Sequence, residues 1–141
     1  MSVDDAHTRP SGTGDTTVEA LGKLSEALEV VEEARGQLYA FHRRCGMADL
    51  ALGEAVGLLR AAGHSELADR IDTDLVGRNV LAGRWSFQVV EEYDDGYYAA
   101  FREHERAARE ELVEGRRHLF EAGMKEERRS AGLPGHEATP D

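Results

Sequence analysis

Four carboxylates, Glu91, Glu92, Asp94 and Asp95, occupy five positions of one short stretch. Clustered acids can hold a hard cation, which needs several oxygens converging on it, or a basic ligand. An EF-hand loop would alternate its acids about a glycine and end on a glutamate, and that pattern is missing. The plainer chemistry is local: Asp94 or Asp95 caps a helix near Gly96, and the Glu pair faces water. Six of the nine aromatic residues fall in the same region, as Trp85, Phe87, Tyr93, Tyr97, Tyr98 and Phe101, so it is also a candidate pocket lining or protein-binding patch. Tyr and Trp suit either role because each joins apolar area to a polar tip. Core filling is the alternative, and it suits Trp85, Phe87 and Phe101 best. Arg78 and Arg84 precede the cluster and could hold an anion, although pairing with Glu91 or Asp94 is simpler. The candidate ligand- or partner-binding residues are therefore Arg84, Trp85, Glu91, Glu92, Tyr93, Asp94, Asp95, Tyr97 and Tyr98.

Metal and nucleophile chemistry find less support. His104 and His118 share a helix face but stand about 21 Å apart at 1.5 Å per residue, so they cannot share an ion. Neither Glu-x-x-His nor His-x-x-x-His occurs. A mononuclear site could assemble across helices from His42, His104 and a carboxylate, and with Trp85, Tyr93 and Tyr97 these would line a pocket. The competing reading leaves them as seam-edge or surface histidines. Cys45 and the serines Ser25, Ser65 and Ser86 lack any nucleophile-elbow signature. No catalytic residue, metal ligand or cofactor is assigned.

The elements that would position these residues are helices. Thr16-x-x-Glu19 reads as a capping box. Leu21, Leu24, Leu28, Val31 and Leu38 then follow alternating three-four spacing, continued by Arg35, His42 and Cys45. Arg43 and Arg44 suit the negative end of a helix, and Gly46 stands where a left-handed cap is expected. This predicts a first helix over Thr17–Arg44, about 42 Å long. A second helix is expected from a cap at Asp49 to Gly63, with Leu52, Val56 and Leu59 on one face. A third starts at Ser65, buries Leu67, Ile71 and Leu75, and closes at Gly77. Trp85, Phe87 and Val89 alternate like a strand, but Phe87, Val90, Asp94, Tyr97, Phe101, His104, Ala108 and Leu112 follow helical spacing. A lone strand would have no partner, so a helix is preferred from about Ser86 to Arg129, bent at Gly96 and about 65 Å long if continuous.

Composition bounds the rest. Residues 1–15 and 131–141 hold all three prolines and few large apolar side chains, so they read as disordered tails about a domain at 16–130. The net charge of −11 argues against nucleic acid as partner. No apolar run is long enough to span a membrane and no secretory start is present. The single cysteine excludes an internal disulfide and fits a reducing cytoplasm. The segments GRWSFQVVEEYDDGYYAAFRE and GRRHLFEAGMKE resemble a group of small uncharacterised all-helical actinobacterial proteins, with the likeness covering residues 20–137. That resemblance implies a cytoplasmic helical protein and brings no activity with it.

The expected fold is all-α: an antiparallel four-helix bundle with long first and last helices and a short central helical hairpin. A hairpin half as long as its neighbours leaves apolar stripes uncovered, and a symmetric homodimer is the commonest way to bury them. The expected function is a non-enzymatic interaction or scaffold protein with its contact surface around residues 85–98. The alternative is a small-ligand or metal-binding helical protein using Trp85, Tyr93, Tyr97, His42 and His104.

Overall fold

A computed structural model describes residues 5–139 and is all-α. The tails expected at 1–15 and 131–141 fall partly outside this range, at residues 1–4 and 140–141. The helices are α1 (Asp15–Ala61), α2 (Ser65–Asp74), α3 (Ser86–Tyr93), α4 (Ala99–Val113) and α5 (Leu119–Arg128), with a π-helical turn at Asp94–Tyr98 between α3 and α4. No helix among the described residues is long and apolar enough to cross a membrane.

The first two expected helices are one. α1 runs through Gly46 without a break, and Gly46 does not adopt the left-handed conformation that a cap would require. The physical reason lies in the spacing. The half-buried or buried positions Leu38, His42 and Cys45 continue as Asp49, Leu52, Val56 and Leu59 in the same three-four rhythm, so no change of face forces a stop. The helix ends where Gly63 turns left-handed, at φ +90°. Asp49 does not cap a helix. Its Oδ1 instead accepts the N–H of Gly77, 2.8 Å away, tying the turn after α2 to α1. The capping box also shifts: the Val18 N–H bonds the carbonyl of Gly14, which places Thr16 inside the first turn.

The chain divides into two compact units, Met1–Val31 with Ala99–Asp141, and Glu32–Tyr98. In the second unit, α2 lies back along the end of α1. Ala68 is fully buried, and Arg60 pairs with Asp69 at 2.5 Å and Asp72 at 3.3 Å. A tight turn at Leu81–Arg84, with Gly83 left-handed, precedes α3. So residues 79–85 are neither strand nor helix, and the helix begins at Ser86 as expected.

The first unit has a small apolar core of Val18 and Leu21 from α1, Val113 from α4 and Leu119 from α5, with Ala108 packed against it. A buried polar cluster sits beside it. Glu105 accepts from Ser25 Oγ of α1 at 3.2 Å and from Arg109 Nε at 2.7 Å, while Arg109 Nη1 donates to the Gly115 carbonyl at 2.9 Å. Here the long last helix expected over Ser86–Arg129 is overturned. Glu114 and Gly115 both adopt positive φ, and the Gly115 N–H turns back to the Arg109 carbonyl at 2.9 Å. Gly115 sits at φ +75°, a left-handed conformation that glycine adopts without strain. The break lets α5 fold onto α1, and Phe120 presses so closely that a Cβ on Gly22 would lie 2.7 Å from its ring. The segments flanking this core carry local contacts of their own: Arg116 bonds the Thr8 carbonyl, Arg9 pairs with Asp15, Arg129 bonds the His136 carbonyl, and Ala138 is buried.

Two glycine substitutions test this packing against each other. Gly53 lies in α1 with nothing near its missing Cβ, so Gly53→Ala should stabilise by up to about 1 kcal/mol through helix propensity. Gly22→Ala gains the same term but must displace Phe120, and should destabilise by about 1 kcal/mol net. Urea unfolding of both variants checks this, and equal stabilisation would contradict the close approach.

Candidate functional site

The site is built outward from the start of α3. The Trp85 N–H donates to Gln88 Oε1 at 2.9 Å, which satisfies a free donor at the helix start. Arg84, one residue earlier, pairs with Glu92 at 2.8 Å. Val90 is the residue α3 buries. Trp85 and Phe87, expected in the core, are instead exposed, Trp85 at 58%. The cause is position: Trp85 precedes the helix, off its packed face, and its ring meets Phe87 edge-on at 5.4 Å.

The π turn carries the rest of the cluster and locks half of it. Asp94 accepts two hydrogen bonds from Arg35 of α1, at 2.7 Å from Nε and 2.9 Å from Nη2. The same guanidinium lies 5.2 Å over the Tyr98 ring. The Tyr98 hydroxyl donates to Glu32, 2.7 and 2.8 Å from its two oxygens. One turn of α1, Glu32 with Arg35, thus grips both ends of the π turn. Farther along α1, His42 Nδ1 meets Ser86 Oγ at 2.8 Å, so α1 and α3 run in opposite directions. The pairing expected between Asp94 or Glu91 and Arg78 or Arg84 does not form: Arg78 pairs with Asp74, and Arg84 takes Glu92.

The remaining candidates point outward. Tyr97 is 59% exposed, and Glu91, Glu92 and Asp95 are exposed. Tyr93 is half-buried, with its ring 5.7 Å from Tyr97 and 6.4 Å from Tyr98. Of the row the spacing predicts, Val90, Asp94, Phe101 and Ala108 are buried or half-buried, whereas Tyr97, His104 and Leu112 are exposed and their neighbours Tyr98, Glu105 and Val113 are buried or half-buried instead. A π turn holds one more residue than the α pattern allows for, which is why Tyr98 takes the place the spacing gave to Tyr97. His104 is exposed on α4 in the first unit, whereas His42 lies in the second. Among the described residues, no group of three or more His, Cys, Asp or Glu side chains could hold a metal ion.

Sequence reasoning missed Glu32 as the partner of Tyr98 and Arg35 as the partner of Asp94. The available signal was Arg35 itself, a charge standing in an apolar seam, which needs a partner on the facing element. No protein-family model, curated protein or solved structure matches the chain.

Electrostatically the Arg35–Asp94 pair is the clearest feature of the site. Hydrogen bonds from Arg35, and secondarily its charge, hold the Asp94 carboxyl below the usual carboxylate range against the opposing effect of partial burial. A carboxyl depressed on folding contributes stability that is present above its unfolded value of about 3.9 and is lost as pH falls through its folded value. Asp94→Asn should therefore be less stable than the wild type at neutral pH, and the gap should close in acid below pH of about 4. Urea unfolding at the two pH values measures it. A gap unchanged in acid would mean that the ion pair is not its source.

Proposed function

We propose that the protein is a non-enzymatic helical interaction protein of the cytoplasm, working as a homodimer built as an antiparallel helical bundle, with Trp85–Tyr98 as its contact surface for a protein partner. The observation that carries this reading is the division of labour in the aromatic-acidic stretch. Asp94 and Tyr98 are tied to α1, while Tyr97 of the same turn and Trp85 at the start of α3 stand more than half exposed. Exposed aromatic rings packed against neighbouring rings and flanked by exposed Glu91, Glu92 and Asp95 are the composition of a docking patch. The acids favour a partner with a basic surface. The resemblance to actinobacterial helical proteins is compatible with this reading and adds no activity to it.

Two measurements on one purified sample test it. Light scattering should give twice the chain mass, and metal analysis of the same peak should give less than stoichiometric metal. Trp85 is the sole tryptophan, so its emission reports directly on the patch: that of a water-exposed indole in the free protein, shifted to the blue when a partner covers it. A monomer carrying stoichiometric zinc or iron would overturn the proposal.

A further inference from the structure

The outward side of α1 carries a second apolar pattern that the fold leaves uncovered. Phe41, Arg44, Ala48, Ala51, Ala55 and Leu58 repeat at three-four spacing, and every one of them is exposed. Beside this row lie Met47 and Leu50, the latter 73% exposed, and Leu58 is 71% exposed. An open groove of about 560 Å³ starts the row, lined by Gln37, Ala40, Phe41, Arg44, Cys45 and Ala48. Large apolar side chains standing this far into water along one helix face mark an association surface rather than scattered surface residues.

The order of the residues identifies what covers it. Counted about a point between Asp49 and Leu50, the row is its own complement when reversed: Phe41 falls opposite Leu58, Ala48 opposite Ala51, and Arg44 opposite Ala55. The three small residues in the middle permit close helix approach, and the large ones close the two ends. Charge sets the direction. Reversal brings Arg44 of one copy within reach of Glu54 of the other, twice by symmetry, whereas parallel pairing would set Arg44 on Arg44. On their own helix these two residues are ten positions, about 15 Å, apart, too far to pair with each other.

We infer that this face of α1 binds the same face of a second copy in antiparallel register about a two-fold axis near Asp49–Leu50, with Leu58 of each copy seated in the groove beside Phe41 of the other. The inference rests on the homodimer reading above and assigns its interface to α1, which leaves Trp85–Tyr98 free for another protein.

Charge exchange tests it, read as the dimer dissociation constant by sedimentation equilibrium, with helix content by circular dichroism as the control for folding. Arg44→Glu should weaken the dimer about tenfold by facing Glu54 with a like charge, and Glu54→Arg should do the same. The double variant R44E/E54R should return close to the wild-type value. Leu58→Glu should abolish the dimer with helicity unchanged. A wild-type dimer indifferent to Leu58→Glu and to both single reversals would overturn this interface while leaving the homodimer itself standing. Failure of the double variant to recover would overturn the antiparallel register. A wild-type monomer at all accessible concentrations would overturn the homodimer and this interface together.

Discussion

Glu105 is a buried carboxylate, and the first unit is arranged around keeping it satisfied. A carboxylate taken out of water is costly unless a cation and further donors meet it. Arg109, one turn on, supplies the charge and the first hydrogen bond, and Ser25 of α1 supplies a second donor. Because Arg109 also holds the Gly115 carbonyl, the same guanidinium fixes where α4 stops. That stop aims α5 back at α1, where Leu119 completes the core and Phe120 closes over Gly22. Removing the carboxylate would strand a buried cation and release the turn at once, so it matters more here than any single apolar contact in a core of four buried residues.

The second unit repeats the device in a milder, more exposed form. Arg35 and Glu32 hold the π turn as Arg109 holds the α4–α5 turn, with charge-assisted bonds to groups on the facing element. In both places the chain departs from the regular α-helix, and in both an arginine secures the departure. Apolar spacing carries the regular helices, and at these two departures from it a guanidinium group supplies the hold.

This division decides what was legible in the sequence. The all-helical class, the inward row of α1 and the start of α3 at Ser86 follow from periodicity, and the structure has them. The break at Glu114–Gly115 did not follow, because Leu112, Leu119 and Ala122 keep helical spacing across it and the left-handed residue Glu114 is of a type that gives no warning. The opposite error occurred at Gly46, where a residue typical of helix ends sits inside a helix whose apolar rhythm never changes face. At the candidate site, the acidic and aromatic types were readable, but their roles were not. Spacing alone placed Tyr97 inward, and the extra residue of the π turn put Tyr98 there instead. His104 was placed inward too, and its neighbour Glu105 is the buried one.

That extra residue has a consequence for how the gene can change. A π turn is an α-helix carrying one residue too many, so losing the codon for exposed Gly96 would return the turn to regular α spacing. Tyr98 would then stand three residues after Asp94 and seven after Val90, which regular spacing points the same way, and would keep its turn toward Glu32. A codon lost from within α3 has no such slack and would rotate Tyr98 by about 100° about the helix. The stretch can give up one letter at its turn and none before it.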